Sequence, residues 1–417
     1  MIKNLTFSWI TFSILFTVVI VFISEWLQKS GIIYFPSGFR HFLILSVFIV
    51  NWALFGKYII ITFKYKIAII LMVSYLFVNY FLSNAPALNY ILGIGFTFLF
   101  LMVFILASHI KSSENIIIKI FNLILIFIFL MSIFPISQGI IEATNLRWKH
   151  GLFREVGAFG SAMNIGTIIG ISLFIITSKK KYIYIALFFS IGVLMTILKK
   201  TMISNIIVWY FFFLYFLGLR NRFKMIIYAL LFVVIASISI GQDVVDNIQE
   251  NQIYLEGNGA EGHVRLGMYI ASFNIAGDYF PFGSGMGTFG SLASIINGYS
   301  NIYYDYNVSN IGSNSAQDVA NGHHTLLDTY WPHILGELGV VGLILFFYIW
   351  SYPARQSIKF MKYSSSPFLT GLSFYIVLMG IIMTWEGFTL YTPEVPAFVL
   401  LHFGIGGLCF YHLQRKL

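Results

Sequence analysis

Runs of roughly 17 to 25 apolar residues, bounded by charge, Asn, Gly or Pro, recur along this chain, and a helix of that length crosses about 30 Å of hydrocarbon. Their limits fall near 5–24, 41–56, 65–83, 88–109, 116–138, 158–177, 182–198, 202–219, 224–241, 334–352, 367–385 and 396–413. Of the 417 residues only 10% are charged, against roughly a quarter in a soluble domain, so a water-facing surface could not be covered. The pattern predicts an all-α polytopic membrane protein with about twelve transmembrane helices. It excludes a cytosolic enzyme and a nucleic-acid reader, and a single cysteine, Cys409, excludes a disulfide scaffold. Glu25 and Trp26 stand where a signal peptide would carry small residues, so the first run is read as an uncleaved span.

In such a chain Lys and Arg report orientation, because cytoplasmic loops hold an excess of both. With the N-terminus inside, the outer face receives Lys29, Arg40, Arg147, Lys149, Arg154, Lys199, Lys200 and Arg265, leaving 17 of the 25 basic residues on the cytoplasmic side. The bias predicts an even number of spans and two cytoplasmic termini. Residues 1–241 are expected to carry spans one to nine, 242–333 a large outer loop, and 334–417 the last three spans.

The outer loop is too long for a connector. It is rich in Asn, Gly, Ser and Tyr. From Val264 to Ala276 polar and apolar residues alternate at helical spacing, and 279–290, YFPFGSGMGTFG, reads as a Gly-rich turn. The expectation is short amphipathic helices at the membrane surface and a folded cap over a cavity, rather than a disordered tether. Arg265 is the one basic residue of this loop among nine carboxylates, Asp243, Asp246, Glu250, Glu256, Glu261, Asp278, Asp305, Asp318 and Asp328. Two readings stand side by side for it: a structural ion-pair partner, or a guanidinium aimed at an anionic substrate.

A second outer loop, 142–157, reads EATNLRWKHGLFREVG and places Arg147, Lys149 and Arg154 close together. Such a cluster suits phosphate oxygens, although Arg147 beside Trp148 also fits a helix end anchored among headgroups. Lys199 and Lys200 either snorkel to lipid phosphates or line the same site. Further on, NGHHTLLDTYWPHILGELGVVG spans 321–342. On a helix His324 and Asp328 share one face, a spacing at which a carboxylate orients an imidazole for proton transfer, or at which both solvate an interfacial helix. His323 points elsewhere, Pro332 lets a new helix begin, and a metal site built from His323, His324, Asp328 and His333 is disfavoured because adjacent histidines diverge. No CxxC, P-loop or GxSxG motif is present.

The order of these features resembles the O-antigen polymerase and ligase superfamily, the Wzy and WaaL proteins of lipopolysaccharide and capsule assembly. The resembling pieces are REVGAFGSAMN (Arg154 to Asn164), HVRLGMYIASFNIA around Arg265, FPFGSGMGTFG (Phe280 to Gly290) and DTYWPHILGELGVVG (Asp328 to Gly342). Ligases resemble one another in a His followed by Asn, Ser or Gln, nine residues before GxxG. Here Asp328 and Thr329 hold those two places, which favours the polymerase branch.

The resemblance implies a GT-C-like, cofactor-free and metal-independent glycosyltransferase of the bacterial cytoplasmic (inner) membrane. Its substrate would be an undecaprenyl-pyrophosphate-linked oligosaccharide, and its pathway partners a flippase and a chain-length regulator. Arg265 would stabilise the departing pyrophosphate, with Arg147 and Arg154 binding it as well. Asp328 or His324, and less so His263, would take the acceptor proton. The alternatives are a ligase acting on lipid A core and a lipid-linked oligosaccharide flippase. Flippases need charged or broken helices near mid-membrane, and these spans carry few charges.

Overall fold

The computed structural model describes residues 2–29, 38–56, 62–83, 85–141, 156–196, 198–216, 264–296, 298–311, 313–321, 325–327, 329–388 and 395–414. The ninth expected span, 224–241, lies outside them. Among the described residues every regular element is a helix, and the one pairing of extended backbone is a bridge between Gly56 and Ile110.

The long helices are α1 (Ile2–Lys29), α2 (Phe39–Phe55), α3 (Phe63–Leu82), α4 (Ala87–Thr97), α5 (Leu99–Ser108), α6 (Glu114–Ile141), α7 (Val156–Thr177), α8 (Lys181–Met195) and α9 (Lys199–Phe216). There follow α10 (Val264–Asp278), α11 (Trp331–Trp350), α12 (Tyr352–Tyr363), α13 (Pro367–Glu386) and α14 (Pro396–Gln414), the last with a π-helical turn over Leu400–Gly404. Each expected span other than the ninth thus coincides with a helix or helix pair. Among the described residues, six stretches are long and apolar enough to cross a membrane: α3, the first part of α6, α7, α11 with α12, α13 and α14. Counting α4 and α5 as one span bent by 45° makes seven, and α2, α8 and Trp9–Ser24 are shorter apolar helices.

The bundle closes around α7, whose flanks meet α6, α8, α9 and α13. Small residues set these distances, as expected of a span that begins GAFGSA. A Cβ on Gly166 would stand 2.7 Å from the Phe189 ring, and one on Gly371 of α13 2.5 Å from Ile176.

The tenth expected span, 334–352, is not the straight crossing that its hydropathy suggests. Gly339 sits at φ 62°, ψ −173°, a conformation that is nearly exclusive to glycine. The rings of Trp331 and Trp350 lie 5.9 Å apart and Trp331 stacks on Phe347 at 4.5 Å, whereas an unbroken helix would separate the two tryptophans by about 28 Å. The element is therefore a hairpin: a short arm, 331–338, turns at Gly339, and 340–350 returns beside it and leads into α12. Three carbonyls at the turn are met from outside the hairpin. Ser284 N–H donates to Gly336 O at 2.9 Å, Gly285 N–H to Glu337 O at 3.0 Å, and the Tyr75 hydroxyl to Leu338 O. Irregular backbone survives at membrane depth where protein satisfies it in this way.

Two of the three donors come from the Gly-rich turn, which is buried from residue 283 to 290. Its approach to the hairpin is so close that a Cβ on Gly283 would lie 2.4 Å from Gly339 N. The described residues of the 242–333 loop are folded, with α10, short helices at Ala293–Ile296, Ile302–Asp305 and Ala316–Ala320, and an apolar core of their own built on Met268, Ile275, Phe289, Tyr303 and Leu326. The tether reading does not hold for these residues. The turn also goes beyond the expected surface cap, wedging between α3, α4 and α11.

Candidate functional site: two cavities joined by one helix

Where the Gly-rich turn leaves the hairpin, a polar cavity of about 340 Å³ opens between Asn89, Tyr279, Ser284, Thr288, Tyr299 and Asp305. Its floor is tied down locally: the Ser284 and Thr288 hydroxyls meet at 2.6 Å, and Ser284 also donates to Gly336 O at 3.2 Å. Its wall is fixed by Tyr299, whose hydroxyl donates to the Asn314 carbonyl and whose ring packs on Tyr303 and Tyr304 at 4.8 and 5.1 Å. Burial, with Tyr304 and Asp318 nearby, pushes the Tyr299 pKa up to about 12.

Next to this floor lies Glu337, fully buried in the short arm of the hairpin. Its Oε1 accepts from Phe289 N–H at 3.0 Å and from the Ser291 hydroxyl at 2.6 Å, while Oε2 has no hydrogen-bond partner among the described residues. One helical turn earlier, His333 is buried with its Nε2 3.4 Å from Thr97 Oγ1 and its ring 4.8 Å from Tyr330. The carboxylate thus clamps the turn onto the hairpin. Beyond it the Tyr303 hydroxyl accepts from Gly290 N–H at 2.9 Å and meets Ser294 Oγ at 2.5 Å.

A second cavity, of about 350 Å³, is almost wholly apolar and lies among Ile207, Trp350, Gly380, Trp385, Phe388 and His402. His402 stands on the π-helical turn of α14, the kind of irregularity that often marks functional positions. Above this cavity the Tyr269 hydroxyl donates to the Phe388 carbonyl at 3.1 Å, and burial raises the Tyr269 pKa. Arg265, in the first turn of α10, precedes Tyr269 by one helical turn and so shares its face. It is exposed.

Glu386, at the end of α13 beside this cavity, is buried and accepts from Ser161 Oγ at 2.5 Å and Ser204 Oγ at 3.3 Å. Lys200 interacts electrostatically with this carboxylate, and its carbonyl accepts from Trp385 Nε1 at 3.4 Å. The structure thus joins Lys200 to a polar cluster beside the cavity; the 142–155 part of the loop with which it was expected to share a site lies outside the described residues.

Among the expected site residues, Arg265 is described. Arg147, Arg154, His263, His324 and Asp328 lie outside the described residues. The residues beside the last two, 325–327 and 329–330, are not helical, and the expected pairing of His324 with Asp328 lies outside the described residues. Thr325 instead donates its N–H and hydroxyl to Asn314 Oδ1 at 3.0 and 2.8 Å, and Leu326 is buried in the core of the loop. Arg265 and the polar cavity are not one site: α10 separates Arg265 from Tyr279 by about 20 Å along its axis. Sequence reasoning placed Glu337 in a span without assigning it a role and passed over Glu386. The available signals were a carboxylate within an apolar run, and polar Ser161 and Asn164 opposite it in a glycine-rich span.

The fold and the length of its apolar helices make this a multi-pass helical membrane protein with a folded segment between α10 and α11. In comparison with known proteins, no family model and no curated sequence matches the chain.

Proposed function

We propose that the chain is a glycan polymerase that transfers a growing chain from undecaprenyl pyrophosphate to the terminal sugar of another lipid-linked repeat unit. It would act at the outer face of a bacterial inner membrane, with both termini cytoplasmic and a twelve-span, GT-C-like bundle whose tenth crossing is made by the return arm and α12, which run along α3 from Tyr75 to Tyr65. One observation supports this most: Arg265 stands one turn from Tyr269, which is bonded to Phe388 at the wall of an apolar cavity. A lipid pyrophosphate needs this pairing, an apolar chamber for the tail and a cation for the diphosphate. As the bond from the anomeric carbon to the pyrophosphate oxygen breaks, charge grows on the leaving group, so a fixed guanidinium stabilises the transition state more than the bound substrate. The acceptor hydroxyl gives its proton to a base as the new glycosidic bond forms; Asp328 and His324 remain the candidates for that role. Guanidinium charge from Arg147 and Arg154 would add to the phosphate site.

The test is elongation of purified lipid-linked repeats by the reconstituted protein. Arg265→Ala is expected to leave the protein inserted and to slow elongation about 100-fold or more, with Arg265→Lys in between. Long chains made by the alanine variant would contradict the reading.

A second reading, a flippase for the same lipid-linked oligosaccharide, is favoured by the hairpin broken at Gly339, with buried Glu337 and His333 in its short arm. Discontinuous helices carrying ionisable groups line many transport sites. Elongation by the purified protein alone supports the polymerase; translocation of labelled lipid without elongation supports the flippase.

A further inference from the structure

We infer that the polar cavity is a saccharide subsite that takes an uncharged or amino pyranose, rejects an acidic one, and reads a sugar several rings away from the reacting bond. This rests on the polymerase reading above. The cavity has the volume of a small-molecule site, roughly 300 to 1,000 Å³, and the chemistry that a pyranose requires. Tyr279 and Tyr299 present ring faces for the apolar side of a sugar, while Asn89, Asn301, Ser284 and Thr288 offer amides and hydroxyls to its edge. Tyr299 is set before any ligand arrives, since its hydroxyl is committed to Asn314 and its ring to Tyr303 and Tyr304. The turn that carries Asn301 and Asp305 is tied to the end of α10 by the Tyr306 hydroxyl, which donates to Asp278 Oδ2 at 2.8 Å.

Charge decides the class of sugar. Among its lining residues Asp305 supplies a carboxylate and no Lys or Arg is present. A uronic acid would bring a second carboxylate against the first without a cation to offset it, whereas an amino sugar gains a partner.

Distance decides the role. A diphosphate held at Arg265 lies about 20 Å along α10 from this cavity, so a glycan attached to it reaches Tyr299 only through several intervening rings. Binding here is remote binding energy that selects the correct repeat and sets its register, and no bond is made or broken in the cavity.

The experiment is saturation-transfer NMR on the full-length protein in nanodiscs with the methyl glycosides of glucose, glucosamine and glucuronic acid. The first two are expected to bind, the glucuronide at least tenfold more weakly. Tyr299→Ala and the more exposed Asn301→Ala should each weaken glucoside binding tenfold, and Asp305→Asn should narrow the gap between glucoside and glucuronide. Equal binding of the glucuronide, glucoside binding unchanged in both alanine variants, or no binding of any glycoside would overturn the assignment. Elongation assays on the same variants separate this subsite from the reading it rests on. A raised KM for lipid-linked repeats in Asn301→Ala, with kcat little changed, supports the subsite. Elongation unaffected by either alanine substitution overturns it and leaves the polymerase standing. Glycosides that bind to a protein unable to elongate any lipid-linked repeat would sink the polymerase and keep the saccharide assignment.

Discussion

Glu337 engages one carboxylate oxygen with a backbone amide and a hydroxyl at the end of the Gly-rich turn, and so carries a side-chain link between turn and hairpin beside that of Ser284. Replacing it by Ala leaves Phe289 N–H and Ser291 Oγ buried without their acceptor, a loss of roughly 1 to 3 kcal/mol. Glu337→Gln keeps an acceptor oxygen for both donors, so its loss should be smaller. Thermal unfolding in detergent checks this order; an alanine variant as stable as the unchanged protein would remove the clamp from the account. Glu386 shows why such residues escape sequence reading. Its partners Ser161 and Ser204 lie 225 and 182 positions away, and only folding brings them to it. Arg265 is the converse case: one basic residue in an acidic loop stands out in the sequence, but its neighbour Tyr269 and the cavity beyond do not.

At the scale of elements, the helices were legible because each apolar run must satisfy its backbone internally to enter a bilayer. The hairpin was not, since ELGVVG reads equally well as a small-residue patch in a straight span. The Gly-rich turn was recognisable as a turn, but its depth depends on carbonyls that exist only once α11 reverses. Between the positions of His324 and Asp328, Thr325 and Leu326 answer to Asn314 and the loop core rather than to local propensity. The hairpin gives a sharp test. In Gly339→Ala the new Cβ would stand 2.3 Å from Pro281 O, and the backbone conformation alone costs about 1 to 3 kcal/mol. The turn should be dislodged and residues 279–296 become cleavable in limited proteolysis. Gly95→Ala, which meets nothing within 4 Å, is the control and should leave the digest unchanged.

At the scale of the whole molecule the proposals require that the folded loop and the connection between α7 and α8 lie on opposite sides of the membrane. The Lys and Arg bias supports this. In a Cys409→Ala background, an impermeant maleimide added outside should label Asn301→Cys and leave Lys180→Cys unlabelled until the membrane is broken; both positions are exposed. Labelling of Lys180→Cys from outside would reverse the orientation and take the proposed chemistry with it. The reversal at Gly339 has a bearing on assembly too. Its short arm, 331–338, is about 12 Å long, insufficient to anchor alone, so it can settle only after the returning helix of the hairpin has entered the bilayer. Until then the glycine turn has nothing to grip. Extramembrane and intramembrane halves are therefore coupled, and a soluble fragment excised from the loop would keep its own small core but lose the hairpin that holds the glycine turn.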